Sequence, residues 1–149
     1  MRAVVQRVHA ANCRVDGQSV GQINRGLLLF LGIGEGDSSD DVKYLVDKIV
    51  GLRVFADSEG KMNHSLAEID GGLLVIPQFT LYGDVSRGLR PSFDAAAPPD
   101  RARQLFHEFL ATAQEIHTPV EAGEFGAMMD IEAENDGPVT VLIDSDGKF

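Results

Sequence analysis

The stretch "GLLLFLGIGEGDSSDD" at residues 26–41 decides the fold. Its opening run, "GLLLFLGIG", is apolar or glycine throughout and reads as a buried central strand. The run falls well short of the roughly 20 apolar residues of a membrane span. The turn cluster after it ends in good N-cap residues, with acid in the first turn of whatever follows. Val42, Leu45, Val46, Ile49 and Val50 then recur at helical spacing, which predicts an amphipathic helix over 39–51.

Toward the N-terminus, Val4, Val8 and then Val15 mark early strands, with "DGQ" at 16–18 as the turn after the second. Toward the C-terminus, "RVF" at 53–55 is a short strand and the polar, Gly-rich segment 57–72 predicts loop. "GLLVIPQFTL" at 72–81 reads as a further buried strand, but Pro77 interrupts it, so it lies at an edge or changes course there. Residues 83–100 form an irregular connection. A second helix over 99–114 opens on Pro-Pro-Asp and gathers Ala102, Leu105, Phe106, Phe109 and Ala113 on one face. Phe125, Ala127, Met129, Ile131 and Ala133 alternate with period two, and so do Val139, Val141 and Ile143. Asp136-Gly137 between these runs signals a tight hairpin turn. The tail 144–149 is expected to be loosely held. Two helices among seven or eight strands, without regular strand-helix alternation, predict one α+β domain: an antiparallel or mixed barrel-like sheet covered by two main helices. A doubly wound dinucleotide fold is disfavoured.

Composition narrows the chemistry. A chain of 149 residues, 44% hydrophobic, suits one domain with a real core. The N-terminus runs straight into an alternating pattern with no signal-peptide signature, and the single cysteine, Cys13, makes no intrachain disulfide; both point to the cytoplasm. Thirteen basic against 23 acidic residues give a net charge of −10, which on charge alone argues against nucleic acid. His9, His64, His107 and His117 fall in no zinc-binding spacing, so no metal site is expected. "GIGEG" at 32–36 lacks the Lys-Ser/Thr of a phosphate loop, and Asp37, Asp40 and Asp41 lack the ligand rhythm of an EF-hand. No GxSxG elbow is present.

Two stretches resist a purely structural reading. "PQFTLYGD" at 77–84 puts Gln78 and Thr80 on one strand face and Phe79 on the other, if the backbone stays extended after Pro77. Polar Gln and Thr in an apolar strand need partners or a cavity. "NDGPVT" at 135–140 places Pro138 where the next strand should begin pairing, and proline brings no N–H donor. With "QRV" at 6–8, "GLLLFLGI", "EGKMN" at 59–63, "RGLRPSF" at 87–93 and "FGAMM" at 125–129, these stretches resemble the D-aminoacyl-tRNA deacylase family, of the D-Tyr-tRNA deacylase type, in order over nearly the whole chain.

The resemblance implies a homodimer, free of metal and cofactor, that hydrolyses the ester of D-aminoacyl-tRNA and also removes glycine from glycyl-tRNA mischarged on tRNA for alanine. It implies that the Gly137-Pro138 peptide is cis and reaches into the partner subunit's pocket. There its carbonyls receive the substrate ammonium and an L side chain clashes. Gln78, Phe79 and Thr80 would form the catalytic end of the pocket beside Pro77, Phe125 and Met129 would enclose the adenine, and Arg7 would anchor the Gly-Pro loop through its carbonyls. Thr80 has two possible roles under the resemblance, nucleophile or positioning group for attack assisted by the RNA 2′-hydroxyl; no base near it in sequence favours the first. Arg87 and Arg90 fall near acceptor-end phosphates in one reading and on plain solvated surface in the other. Family members commonly carry Ser where this chain has Pro77. A sister branch shares the proline but has Ala at the position of Phe79, so Phe79, Arg7 and "NDGPVT" align this chain with the D-specific branch. The expected RNA affinity is modest with a shallow salt dependence, since only a single-stranded end enters the pocket. Two alternatives are an esterase of small D-amino acid esters and a non-catalytic aminoacyl-tRNA-binding module.

Overall fold

The computed structural model describes residues 1–148. Strand β1 (Arg2–Val15) is one continuous strand where two were expected, and it organises the sheet because both of its edges are used. Along one edge its first half pairs antiparallel with β3 (Gly26–Gly32) and its second half with β2 (Gln18–Ile23), across a turn at Asp16-Gly17. Along the other edge it pairs antiparallel with β8 (Asp130–Asp144). The strand β3 then pairs parallel with β6 (Gly72–Pro77), and β6 parallel with β7 (Val120–Ala122). Gly21 on β2 lies so near β7 that a Cβ there would stand 2.6 Å from the Ala122 carbonyl oxygen. The mixed sheet therefore nearly closes into a barrel.

Parallel neighbours need long crossovers, and the two helices supply them. Helix α1 (Ser39–Val50) lies between β3 and β6, and α2 (Pro99–Ile116) between β6 and β7. The first is capped as its sequence suggests: the Asp41 carboxylate accepts from the Ser38 N–H at 2.8 Å and the Ser38 hydroxyl at 2.9 Å. The second opens on Pro98-Pro99, where the missing N–H of Pro99 costs nothing. The predicted faces of both helices are buried in a common core with Leu27, Leu29, Leu31, Leu73 and Val75. The alternate residues Leu28, Leu74 and Ile76 point the other way, into a second cluster with Val8, Ala11, Cys13 and Ile23. A strand buried on both faces has no polar phase, which is why "GLLLFLG" shows no alternation. Cys13 is fully buried.

Several local expectations are corrected. The segment 57–72 is not all loop: a small antiparallel pair joins β4 (Phe55–Ala56) to β5 (Met62–His64), and a 3-10 turn covers Ala67–Ile69. The strand predicted to 81 stops at Pro77. Alternation over 125–129 does not make a strand, because Gly126 at φ +84° turns the chain and β8 starts only at Asp130. Most consequentially, "NDGPVT" is not a hairpin turn. Both arms around it belong to β8 and pair with the same strand, Thr140 with Gln6 and Asn135 with Val8, so residues 136–139 bulge out opposite Arg7 alone. The start of the tail is also held: the buried Asp144 carboxylate takes a hydrogen bond from Arg2 Nε at 3.2 Å, and the Met1 ammonium donates to Ser145 Oγ and Asp37 Oδ1, each at 2.6 Å.

Candidate active site

The C-terminal end of β6 opens the site. Gln78 still donates its N–H to the Leu31 carbonyl at 2.8 Å, continuing the parallel pairing one residue past Pro77. The chain then leaves the sheet and tightens into a 3-10 turn, Phe79–Tyr82. The expectation that Gln78 and Thr80 share a strand face therefore fails: the backbone after Pro77 is not extended. Their polar groups find each other instead, with Gln78 Nε2 donating to Thr80 Oγ1. Phe79 is more than half exposed and packs edge-on against Phe93, ring centroids 5.0 Å apart.

A cleft of about 470 Å³ lies over this turn. Pro77, Gln78, Phe79 and Thr80 form one wall, and Phe125 and Met129, brought across by the turn at Gly126, form the other. Leu31 and Ile76 lie at its base from the two core strands. Phe125 is fixed from behind, with Phe106 at 5.9 Å and the Arg103 guanidinium over its ring at 4.8 Å. A neighbouring hollow of about 520 Å³ continues past Phe79 and Phe125 toward Phe93, Pro98 and Pro99. The site thus offers a largely apolar slot with a few convergent polar groups at one end, the usual build of a small-molecule pocket. Among the described residues, no group of three or more His, Cys, Asp or Glu could hold a metal ion.

Arg7, Gly137 and Pro138 are not part of this cleft; they form a second cluster at the bulge in β8. Arg7 Nε donates to the Asp136 carbonyl at 3.2 Å and pairs with its carboxylate at 3.2 Å, while Nη1 donates to the Val54 carbonyl. The Gly137-Pro138 peptide is cis, and Gly137 sits at φ +125°, a conformation that side chains disfavour.

Arg2 belongs to the site's support, though the sequence reading did not single it out. Its Nη1 donates to the Leu81 carbonyl at 3.0 Å and its guanidinium lies 4.5 Å over the Tyr82 ring, so a residue at the head of β1 clasps the far end of the Phe79–Tyr82 turn. Burial, and then the charge of Asp37, pushes the Tyr82 phenol well above its ordinary range, so it stays protonated. Nothing in local spacing signals Arg2, since its partner carbonyl is 79 residues away.

A small barrel whose pocket opens at the end of a parallel strand, with a separate braced bulge, has close counterparts among known proteins. The family described as D-Tyr-tRNA(Tyr) deacylase matches residues 4–144. The chain is 52% identical over 149 residues to a D-aminoacyl-tRNA deacylase of Thermosipho africanus, covering all of both chains, and 54% identical over 145 residues to one of Desulfatibacillum aliphaticivorans, covering 97% and 99%. A solved structure titled c-Myc DNA Unwinding Element Binding Protein superposes with a TM-score of 0.92 at 37% identity, covering 97% of this chain and 98% of that one. A probable eukaryotic D-amino acid tRNA deacylase, at 17% identity and a TM-score of 0.81 over 95% and 97%, shares the fold. The chain belongs to the D-Tyr-tRNA(Tyr) deacylase family. It is accordingly a hydrolase of the D-aminoacyl-tRNA deacylase class.

Proposed function

We propose that the chain acts in the cytoplasm as a homodimer, removing D-amino acids from tRNA and glycine from glycyl-tRNA mischarged on tRNA for alanine, with the Gly137-Pro138 bulge of one copy entering the cleft of the other. One observation carries this reading: the bulge is braced by Arg7 yet lines no part of its own chain's cleft, while Pro77, Gln78, Phe79, Thr80, Phe125 and Met129 line a cleft that, among the described residues, holds no carboxylate to pair with an ammonium. A second copy supplies what is lacking. The carbonyls of Gly137 and Pro138 accept hydrogen bonds from the substrate ammonium, and the crowded backbone leaves no room for an L side chain. Selection by a clash accepts D side chains of many kinds and glycine with none.

The 3-10 turn supplies the chemistry. Its first internal bond runs from the Leu81 N–H to the Gln78 carbonyl, so the N–H groups of Phe79 and Thr80 stand ahead of it. Aimed at the ester carbonyl, they steady the oxyanion that forms as water adds to the carbonyl carbon, an effect worth about 3–4 kcal/mol per preorganised donor. The carbon–oxygen bond to the ribose then breaks, leaving the free amino acid and a ribose hydroxyl. Phe125 and Met129 enclose the adenine. The Thr80 hydroxyl already accepts from Gln78, and among the described residues no histidine or carboxylate lines the cleft to deprotonate it. Thr80 therefore positions, and the RNA 2′-hydroxyl assists the water.

Deacylation of matched D-, L- and glycyl-tRNA tests the proposal. Hydrolysis of the D- and glycyl-forms with the L-form spared is the expected result; a preference for free D-amino acid esters, or binding without turnover, overturns it. Thr80→Ala is expected to keep activity to within about tenfold, the scale of one lost hydrogen bond. A substrate ending in 2′-deoxyadenosine is expected to lose about 100-fold or more, the scale of an absent proton-transfer partner. Loss of all turnover in Thr80→Ala, with a normal melting curve, would restore the nucleophile.

A further inference from the structure

We propose that the loop 84–92 is a phosphate hook that takes the ribose-phosphate strand of the substrate's acceptor end. The inference rests on the deacylase reading and extends it to how an acidic protein holds RNA. Most Lys and Arg side chains in the described residues are occupied. Arg2, Arg7, Arg14, Lys61 and Lys148 are paired with carboxylates. Arg53 and Arg101 donate to neutral partners, and Arg25, Lys48 and Arg103 lie over aromatic rings. Among the described residues, only Lys43, Arg87 and Arg90 of the Lys and Arg side chains make no hydrogen bond, ion pair or ring contact. Lys43 stands on α1 among Asp40, Asp41 and Asp47, whereas Arg87 and Arg90 share one short loop with no acid between them.

That loop is held beside the cleft. Asp84 and Ser92 close its base with two backbone hydrogen bonds, 2.8 and 2.9 Å. The next residue, Phe93, packs on Phe79, which lines the cleft wall. The acids at the base are turned to local work: Asp84 accepts from the Ser86 N–H at 2.8 Å, and Asp94 from the Ser92 hydroxyl at 2.7 Å. Two free guanidinium groups on a closed loop, rooted at the cleft wall of a chain of net charge −10, form a local positive spot where the strand leading to the bound terminal adenosine must pass.

The test compares two substrates across salt concentration: D-aminoacyl-tRNA, and the corresponding D-aminoacyl-adenosine, which has no phosphate. For Arg87→Ala/Arg90→Ala on the tRNA substrate, KM is expected to rise about tenfold at low salt with kcat unchanged. The plot of log KM against log salt should flatten by about 1.4, the value for two lost phosphate contacts on a single strand. Hydrolysis of the adenosine ester should be unaltered, and Arg87→Lys/Arg90→Lys should keep the wild-type slope, because a point charge suffices for phosphate. An unchanged slope overturns the inference, as does an equal loss on the adenosine ester or a change in sedimentation that makes the loop a subunit contact. Failure of the wild-type chain on both substrates overturns the deacylase reading itself, which separates the two outcomes.

Discussion

Arg7→Ala is expected to lower kcat/KM for D-aminoacyl-tRNA by about 100-fold or more while leaving a folded protein. The guanidinium serves Asp136 through its carbonyl and its carboxylate, and serves the Val54 carbonyl as well. Its side chain is only 12% exposed, so truncation takes this donor from both carbonyls and leaves the Asp136 carboxylate only the more distant His9 Nε2, 3.8 Å away. Losses of this kind cost about 1–3 kcal/mol, which a chain of this size survives with its melting temperature lowered by about 5 °C. The proposed function suffers more, because the freed bulge no longer presents Gly137-Pro138 in one orientation. Arg7→Lys keeps the charge but not the fork of donors, and should recover only part of the rate. Steady-state kinetics beside a thermal melt check this; full activity in Arg7→Ala removes the bulge from the mechanism.

The largest effect on folding is expected from Gly26→Ala. Gly26 begins β3 directly opposite Gly72 on β6, and a Cβ there would fall 1.9 Å from the Gly72 carbonyl oxygen and 2.7 Å from its nitrogen. Backbone atoms cannot give way as a flexible side chain does. The parallel pair that carries both the barrel and the Phe79–Tyr82 turn must separate at its start, and a loss of more than about 4 kcal/mol follows, a large share of ordinary stability. Little soluble, cooperatively melting protein should be recovered. Gly36→Ala, where a Cβ meets nothing within 4 Å, is the matched control and should melt normally.

What the sequence made legible was whatever one segment determines by itself. The spacing of Val42, Leu45, Val46, Ile49 and Val50 places α1 to within a residue of its observed span, Ser39–Val50, because a helix carries its periodicity internally. The unbroken apolar run of β3 likewise announces burial on both faces. The bulge was misread because Asp136-Gly137 between two alternating runs looks locally the same whether the arms pair with each other or with one long third strand. The decision lies with β1, whose 14 residues reach along both arms. Pro77 did announce a change of course, yet only the structure gives the change its form, a 3-10 turn that directs Gln78 and Thr80 toward each other. Of the residues the resemblance names, Pro77, Gln78, Phe79, Thr80, Phe125 and Met129 share one cavity, whereas Arg7, Gly137 and Pro138 lie apart at the bulge. Arg2 stayed invisible because its work is done on a carbonyl far along the chain.

The bulge has a further consequence for solubility. The strand β8 pairs with β1 alone, so a 15-residue strand lies at the margin of the sheet, where an uninterrupted row of unpaired backbone groups invites strand-on-strand aggregation between molecules. Residues 136–139 break that row in two, and proline at 138 removes one of its donors outright. Glu132 and Glu134 add charge to the longer piece. Replacing the bulge by a regular, paired stretch would therefore cost the protein its protection against strand-on-strand aggregation.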